Sequence, residues 1–196
     1  MDRGNKKSMS ELKWEKVKEE HIVQDRWIDF RKATYRLPNG KEFGPFYQYS
    51  RRSYSVIVAR NKDGNFICVK QFRHGINQVT VEFPAGGIET KNHEYDKIGA
   101  EDAIECAKRE LLEETGYKSN NWKHLITIPS NATIADNYAY CYFADHCEKV
   151  SDLNLDDTEF LEVQIYTEKE IQEMITHQQF PQAIHVMAFL LASKYF

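Results

Sequence analysis

The sequence predicts an α+β domain in which strands dominate the middle, one helix is set among them, and two helices follow at the end. Three observations predict it. Asn39-Gly40 and Asp63-Gly64 each lie between runs of strand-forming residues, and such dipeptides tolerate the positive φ of tight hairpins. Residues 100–115 carry an apolar repeat at helical spacing. Thr167 with Glu170, and later Pro181, mark two helix starts. Strict strand–helix alternation is missing, which separates this pattern from a doubly wound sheet.

In chain order, the first twenty residues are polar and read as loosely ordered or helical, with Leu12, Trp14 and Val17 as their apolar handles. Residues 27–49 read as strands folded at Asn39-Gly40. Residues 53–59 and 66–72 form a second hairpin about Asp63-Gly64, and residues 79–83 a further strand stopped by Pro84-Ala85-Gly86-Gly87. In the helix at 100–115, Ala103, Ile104, Ala107 and Leu111 share one face, and Gly116 supplies the stop. Residues 122–128, 138–144 and 160–166 read as strands. A helix opens at Thr167 and runs to about His177. A last one covers about residues 182–194, with Ala183, Val186, Met187 and Leu190 on its apolar side. The expected division is an N-terminal β extension over residues 1–48 and a main domain over 49–196.

With 196 residues, 41% hydrophobic and 29% charged, the chain has the composition of an ordinary globular protein. Its 26 Lys and Arg stand against 30 Asp and Glu, a formal net charge of −4. Such a balance gives no global attraction to nucleic acid or to an anionic membrane, so neither is expected as a partner. The N-terminus shows no signal-peptide core, and no apolar run reaches membrane-spanning length. Cys68, Cys106, Cys141 and Cys147 are scattered, without a Cys-x-x-Cys pair, and read as reduced thiols. A cytoplasmic location is the expectation.

The chemistry lies in Arg109-Glu110-Leu111-Leu112-Glu113-Glu114-Thr115-Gly116-Tyr117. On a helix, Glu110, Glu113 and Glu114 stand at i, i+3 and i+4, so their carboxylates share a face, while Ile104, Ala107 and Leu111 occupy another. Three glutamates alone are ordinarily a solvated face with pairs such as Glu105–Arg109 and Arg109–Glu113. Clustered carboxylates also suit a hard divalent cation, Mg²⁺ or Mn²⁺, that bridges to substrate phosphates.

This segment resembles the Nudix box, Gly-x5-Glu-x7-Arg-Glu-U-x-Glu-Glu-x-Gly-U, where U is bulky and apolar. Glu101 stands eight residues before Arg109, and Arg109, Glu110, Leu111, Glu113, Glu114, Gly116 and Tyr117 fill the remaining positions. Upstream, Glu82-Phe83-Pro84-Ala85-Gly86 is similar to the Glu-x-Pro-Ala-Gly of the ADP-ribose pyrophosphatase branch. One departure is clear. If Gly86 is the box glycine, residues 87–100 separate it from Glu101 where the signature has five, with a charged excess at 91–97. Lengthening a surface loop costs little, so the carboxylate helix should survive it.

The resemblance implies a Nudix α/β/α sandwich with a mixed sheet, an N-terminal strand extension, and a homodimer. It implies hydrolysis of a nucleoside diphosphate derivative, ADP-ribose or another nucleotide sugar, with Mg²⁺ or Mn²⁺ as cofactor; the alternatives are a dinucleotide, NADH or oxidised nucleoside triphosphate as substrate, or a Nudix-fold nucleotide sensor without catalysis. Glu110 and Glu114 would be the principal metal ligands, Glu113 an auxiliary one, and the Ala85 carbonyl a further donor. Arg109 would orient the glutamates, and Glu101 would be structural. Arg73, in Gln71-Phe72-Arg73, would grip the diphosphate. Glu82 would bind a ribose or the Arg73 side chain, or simply close a strand. Trp27 would stack on a base, or serve as a core or dimer-contact residue. The proton acceptor stays open between Glu113, Asp136 and no dedicated base. His74, His93 and His185 read as structural rather than as a ligand set.

Overall fold

The computed structural model describes residues 8–90, 102–156 and 158–196. Glu101, His93 and the charged excess at 91–97 lie outside the described residues. The chain forms two compact units, Met1–Arg51 with Asn131–Asp136, and Arg52–Ser130 with Asn137–Phe196.

The first unit holds a short 3-10 turn, Met9–Leu12, and three strands, β1 (Glu15–Gln24), β2 (Asp29–Arg36) and β3 (Glu42–Ser50). They pair antiparallel in the order β1-β2-β3. The expectation of a loosely ordered or helical start is corrected here, because residues 15–24 are a strand. Every β1 residue is exposed, so no buried apolar stripe marks it, and its ladder to β2 is what orders it. At the hairpin, Gly40 adopts φ 81° and the Asn39 carboxamide accepts from the Lys41 N–H at 3.0 Å. Trp14 packs on Phe46 and Tyr35, with ring centroids 5.3 and 6.1 Å away. Among residues 131–136, the Tyr49 N–H donates to the Ile134 carbonyl at 2.9 Å.

The second unit runs β4 (Tyr54–Asn61), β5 (Phe66–Arg73), β6 (Gln78–Glu82), β7 (Ala85–Gly87), α1 (Ala103–Thr115), β8 (Tyr117–Lys118), β9 (Asn121–Pro129), β10 (Tyr138–Lys149), β11 (Leu161–Tyr166), α2 (Glu168–Thr176) and α3 (Ala183–Ala192). β10 lies parallel to β4 and antiparallel to β9, while β5 joins β4, β6 and β11 antiparallel, so the sheet is mixed. Alternation along β4 divides the core. Ile57 and Ala59 face Ala107 and Leu111 of α1, whereas Val56 and Val58 face Ile171 of α2 and Ala188, Phe189 and Ala192 of α3. Helices therefore cover both faces of this sheet, as an α/β/α sandwich requires. Phe66, Phe83 and Phe189 are fully buried, and such burial stabilises by roughly 1.5–3 kcal/mol per side chain.

Two details depart from the sequence reading. β6 stops before Pro84 as expected, but Ala85, Gly86 and Gly87, read as part of the stop, pair with Val56, Ser55 and Tyr54 as a new strand, β7. The buried face of α3 is His185, Ala188, Phe189 and Ala192, whereas Leu190 is exposed. Ala183–Ala192 is apolar nearly all round, so periodicity alone does not fix which stripe turns inward.

Candidate active site

α1 is preceded by Asp102, which is extended, and followed by Gly116, whose φ of 70° and N–H bond to the Leu112 carbonyl form a left-handed stop. The Ser55 hydroxyl donates to the Ala103 carbonyl at 2.7 Å and ties the first turn to β4. Packing of Ala107 and Leu111 on the sheet then sets the rotation of the helix. That rotation turns Glu110 and Glu114 inward along with the apolar residues, to 7% and 3% exposure, and leaves Glu113 at the edge.

Both buried glutamates meet β7. The Ala85 N–H donates to Glu114 Oε2 at 3.0 Å. Glu110 lies against Gly86, where an added Cβ would stand 1.9 Å from the Glu110 carboxyl carbon and push that carboxylate aside. Arg109 bridges the edge: one guanidinium nitrogen lies 2.9 Å from Glu110 and 2.8 Å from Glu113, and another donates to the Gly87 carbonyl at 3.2 Å. Ala85, Arg109, Glu110, Glu113 and Glu114 are thus brought together.

Burial pushes the Glu110 carboxyl up to about 7, against the pull of Arg109 and with help from the charges of Glu113 and Glu159. Burial also raises Glu114 well above the ordinary carboxylate range, assisted by Glu110 and opposed by the Ala85 N–H. Two buried carboxylates, with the Arg109 guanidinium bonded at the rim to Glu110 and Glu113, form an oxygen-rich, charge-deficient cluster. That chemistry fits a hard divalent cation, which would supply the missing positive charge. Among the described residues, no three His, Cys, Asp or Glu side chains are already gathered into a ligand cage. Glu110 and Glu114, with Glu113 from the edge, are the side chains available to hold a cation here.

Glu159, just before β11, was not singled out in the sequence. Its charge raises both Glu110 and Glu114, and it is only partly buried. A short loop holds it, with the Asp156 N–H donating to Glu159 Oε2 at 3.0 Å. It stands at no fixed spacing from the helix, and the one available signal was its place in the acidic stretch between β10 and β11.

A second polar cluster surrounds Glu82, which is fully buried. Its Oε1 accepts from Gln71 Nε2 at 2.6 Å and from an Arg73 terminal nitrogen, and its Oε2 from Gln182 Nε2 at 2.9 Å. Of the alternatives the sequence left for Glu82, the Arg73 contact is present. His185 is buried, accepts the Phe83 N–H at 3.2 Å, and is pushed down to about 4 by burial, so it stays neutral. Two predicted site residues belong to the first unit. Trp27 is 66% exposed, with the Arg26 guanidinium 4.4 Å over its ring. Asp136 pairs with Arg31 at 2.6 Å and accepts from the Ser50 hydroxyl at 2.6 Å.

Comparison with known proteins places this geometry. The NUDIX domain model matches residues 50–185. The chain is 26% identical over 178 residues to the ADP-ribose pyrophosphatase of Bacillus subtilis (strain 168), covering 87% of this chain and 88% of that protein. It is 32% identical over 145 residues to the ADP-sugar pyrophosphatase of Mus musculus, covering 61% and 62% respectively. A crystal structure described as an ADP compounds hydrolase superposes with a TM-score of 0.80 at 19% identity, over 97% of this chain and 96% of that one, a likeness of fold. With its model spanning the whole sheet and the carboxylate helix, the chain belongs to the NUDIX family.

Proposed function

We propose that this hydrolase of phosphoanhydride bonds acts on ADP-ribose or another nucleotide sugar, with Mg²⁺ or Mn²⁺, to release a nucleoside monophosphate and a sugar phosphate. The observation that carries the reading is the pair Glu110 and Glu114, buried together against the β7 backbone and short of positive charge. When bound, a divalent cation would neutralise charge gathering on the pyrophosphate and ease deprotonation of an attacking water. Glu110 and Glu114 hold it, Glu113 assists, and the Ala85 carbonyl is a further donor. Arg109 orients Glu110 and Glu113 through the nitrogen that they share.

Arg73 supplies the diphosphate contact. One terminal nitrogen is engaged by Glu82, and its buried Nε–H has no acceptor among the described residues. The adenine or other base is read by an aromatic, for which Trp27 is the candidate. Glu159 joins Glu113 and Asp136 as a candidate proton acceptor, because its charge reaches both buried glutamates. The Asp136 pairing with Arg31 and Ser50 favours a tethering role for that residue instead.

A homodimer built through the first unit is part of the same reading. Its supporting observation is the exposed apolar surface of that small sheet, with Trp14, Val17, Ile22, Val23, Phe43 and Tyr47 all exposed. Among the described residues, no helix is long and apolar enough to cross a membrane, and all four cysteines are free thiols, in keeping with the proposed cytoplasmic location.

The test is hydrolysis of ADP-ribose and a panel of nucleoside diphosphate sugars, with and without Mg²⁺ or Mn²⁺. Cation-dependent release of AMP from ADP-ribose is the expected result. A folded, cation-binding protein that turns over none of the panel would remove this substrate class.

A further inference from the structure

We propose that Gln182 is a positioning residue that fixes the Glu82 carboxylate and, through it, aims the Arg73 guanidinium at the substrate diphosphate; this rests on the reading of Arg73 given above.

The Glu82 carboxylate, with no solvent exposure, needs donors for both oxygens, and Arg73 is the cation bonded to it. Gln71 and Arg73 share Oε1, so Oε2 depends on Gln182 at 2.9 Å and on the Thr80 hydroxyl at a long 3.4 Å. The last torsion of a glutamate is broad and restrains little by itself. Without Gln182, one weak contact would hold Oε2, and the carboxylate could turn and carry the guanidinium with it.

The position of Gln182 in the fold supports a dedicated role. It stands at the N-cap of α3, where Ser, Thr, Asp or Asn would bond the helix's own N–H groups, yet its side chain makes no cap bond. Its amide reaches β6 instead. One turn on, His185 of the same helix accepts the Phe83 N–H, so α3 grips the β6 end at two successive residues. The Arg73 side chain is about one-third exposed, and Glu82 engages one of its two terminal nitrogens. A guanidinium held in a set direction keeps the donors of its other terminal nitrogen for a charge-assisted phosphate contact. Gln182 has no part in the chemical step, so its loss should weaken substrate binding and leave turnover nearly intact.

The test compares Gln182→Met, which keeps the length and loses the donor, with Arg73→Ala and with the double variant, all checked for cooperative melting. Steady-state hydrolysis of ADP-ribose with Mg²⁺ is measured, and the Arg73 Nε–H resonance is followed by NMR in arginine-labelled protein. Gln182→Met is expected to raise KM about tenfold, the order expected for a lost hydrogen bond to a charged group, with kcat within about threefold. It should shift the Arg73 Nε–H signal and add little to the KM of Arg73→Ala. A raised KM in Arg73→Ala, with KM and the Arg73 signal unchanged in Gln182→Met, overturns the inference and leaves the reading of Arg73 standing. An unchanged KM in Arg73→Ala overturns the reading and, with it, the inference. A lower melting temperature in Gln182→Met with unchanged KM assigns Gln182 to stability alone and also overturns it.

Discussion

Gly86 and Glu110 occupy one small volume: a Cβ on Gly86 would lie 1.9 Å from the Glu110 carboxyl carbon and 2.0 and 2.2 Å from its oxygens. What it would strike is the end of a long side chain, so a Gly86→Ala change should displace the carboxylate rather than break β7. A misplacement of about 1 Å in a reacting constellation can cost on the order of 100-fold. Gly86→Ala is therefore expected to lose roughly that much kcat/KM for ADP-ribose. Its melting temperature should change little. Near-normal activity in the folded variant would mean that the position of the Glu110 carboxylate does not limit catalysis.

The buried pair itself predicts opposite effects on activity and on stability. Glu110→Gln and Glu114→Gln each remove a charge from a site where burial disfavours it. In cation-free protein at pH 7.5, each variant should melt higher than the parent, by about 2–4 °C for every kcal/mol gained. Both should lose Mg²⁺-supported turnover and the shift of melting temperature that Mg²⁺ gives the parent, because binding to the native state alone raises stability by mass action. Calorimetry across a Mg²⁺ titration checks both. A parent that Mg²⁺ does not stabilise would remove these glutamates as the cation site.

The same burial fixes the sign of the pH dependence. Glu110 titrates near 4.5 when unfolded and at about 7 in the folded chain, so between those values the folded state binds more protons. Cation-free stability should therefore be fully present below about pH 4.5 as far as this group is concerned, and should decline as pH rises through 7. Glu114, raised by burial and by Glu110, adds in the same direction. Urea unfolding at a series of pH values with chelator present should show this decline, and Glu110→Gln should flatten it. A parent whose stability rises from pH 5 to pH 7.5, with no flattening in Glu110→Gln, would contradict the assignment.

How much of this was legible in the sequence depended on whether a signal was local. The turn at Asn39-Gly40, the stop at Gly116 and the box of Thr167 and Glu170 each act within a few residues, and each is present in the fold. The glutamate face of α1 followed from helical spacing. The burial of Glu110 and Glu114 did not, because it depends on β7 meeting the helix from far along the chain. β1 was missed because its ten exposed residues carry no apolar alternation. The α3 face was misjudged because an almost wholly apolar helix gives no preferred stripe. Glu159 and Gln182 matter through contacts made at a distance, and Gln182 reaches a carboxylate one hundred residues away in sequence.

Asp136 and Glu159, two candidate proton acceptors, differ in how they are engaged. Asp136 is held by Arg31 at 2.6 Å and by Ser50 at 2.6 Å, and Asp29 and Glu19 flank the same guanidinium. Both bonds fall on Oδ2 and tie the aspartate to β2 and β3, so its loss should act on the anchoring of residues 131–136. Asp136→Asn is expected to keep kcat within about threefold, and to lower stability by about 1 kcal/mol, since the aspartate side chain is half exposed and its ion pair is correspondingly screened. Glu159 has no cation bonded to it among the described residues, and its charge is felt at both Glu110 and Glu114. Positioned proton acceptors contribute typically 10²–10⁴-fold, so Glu159→Gln should lower kcat by roughly 100-fold or more while Mg²⁺ still raises the melting temperature. Rate measurements on both variants with ADP-ribose and Mg²⁺ decide between them. A large loss of kcat in Asp136→Asn, with Glu159→Gln near normal, would return the role to Asp136 and require its pairing with Arg31 to open during turnover.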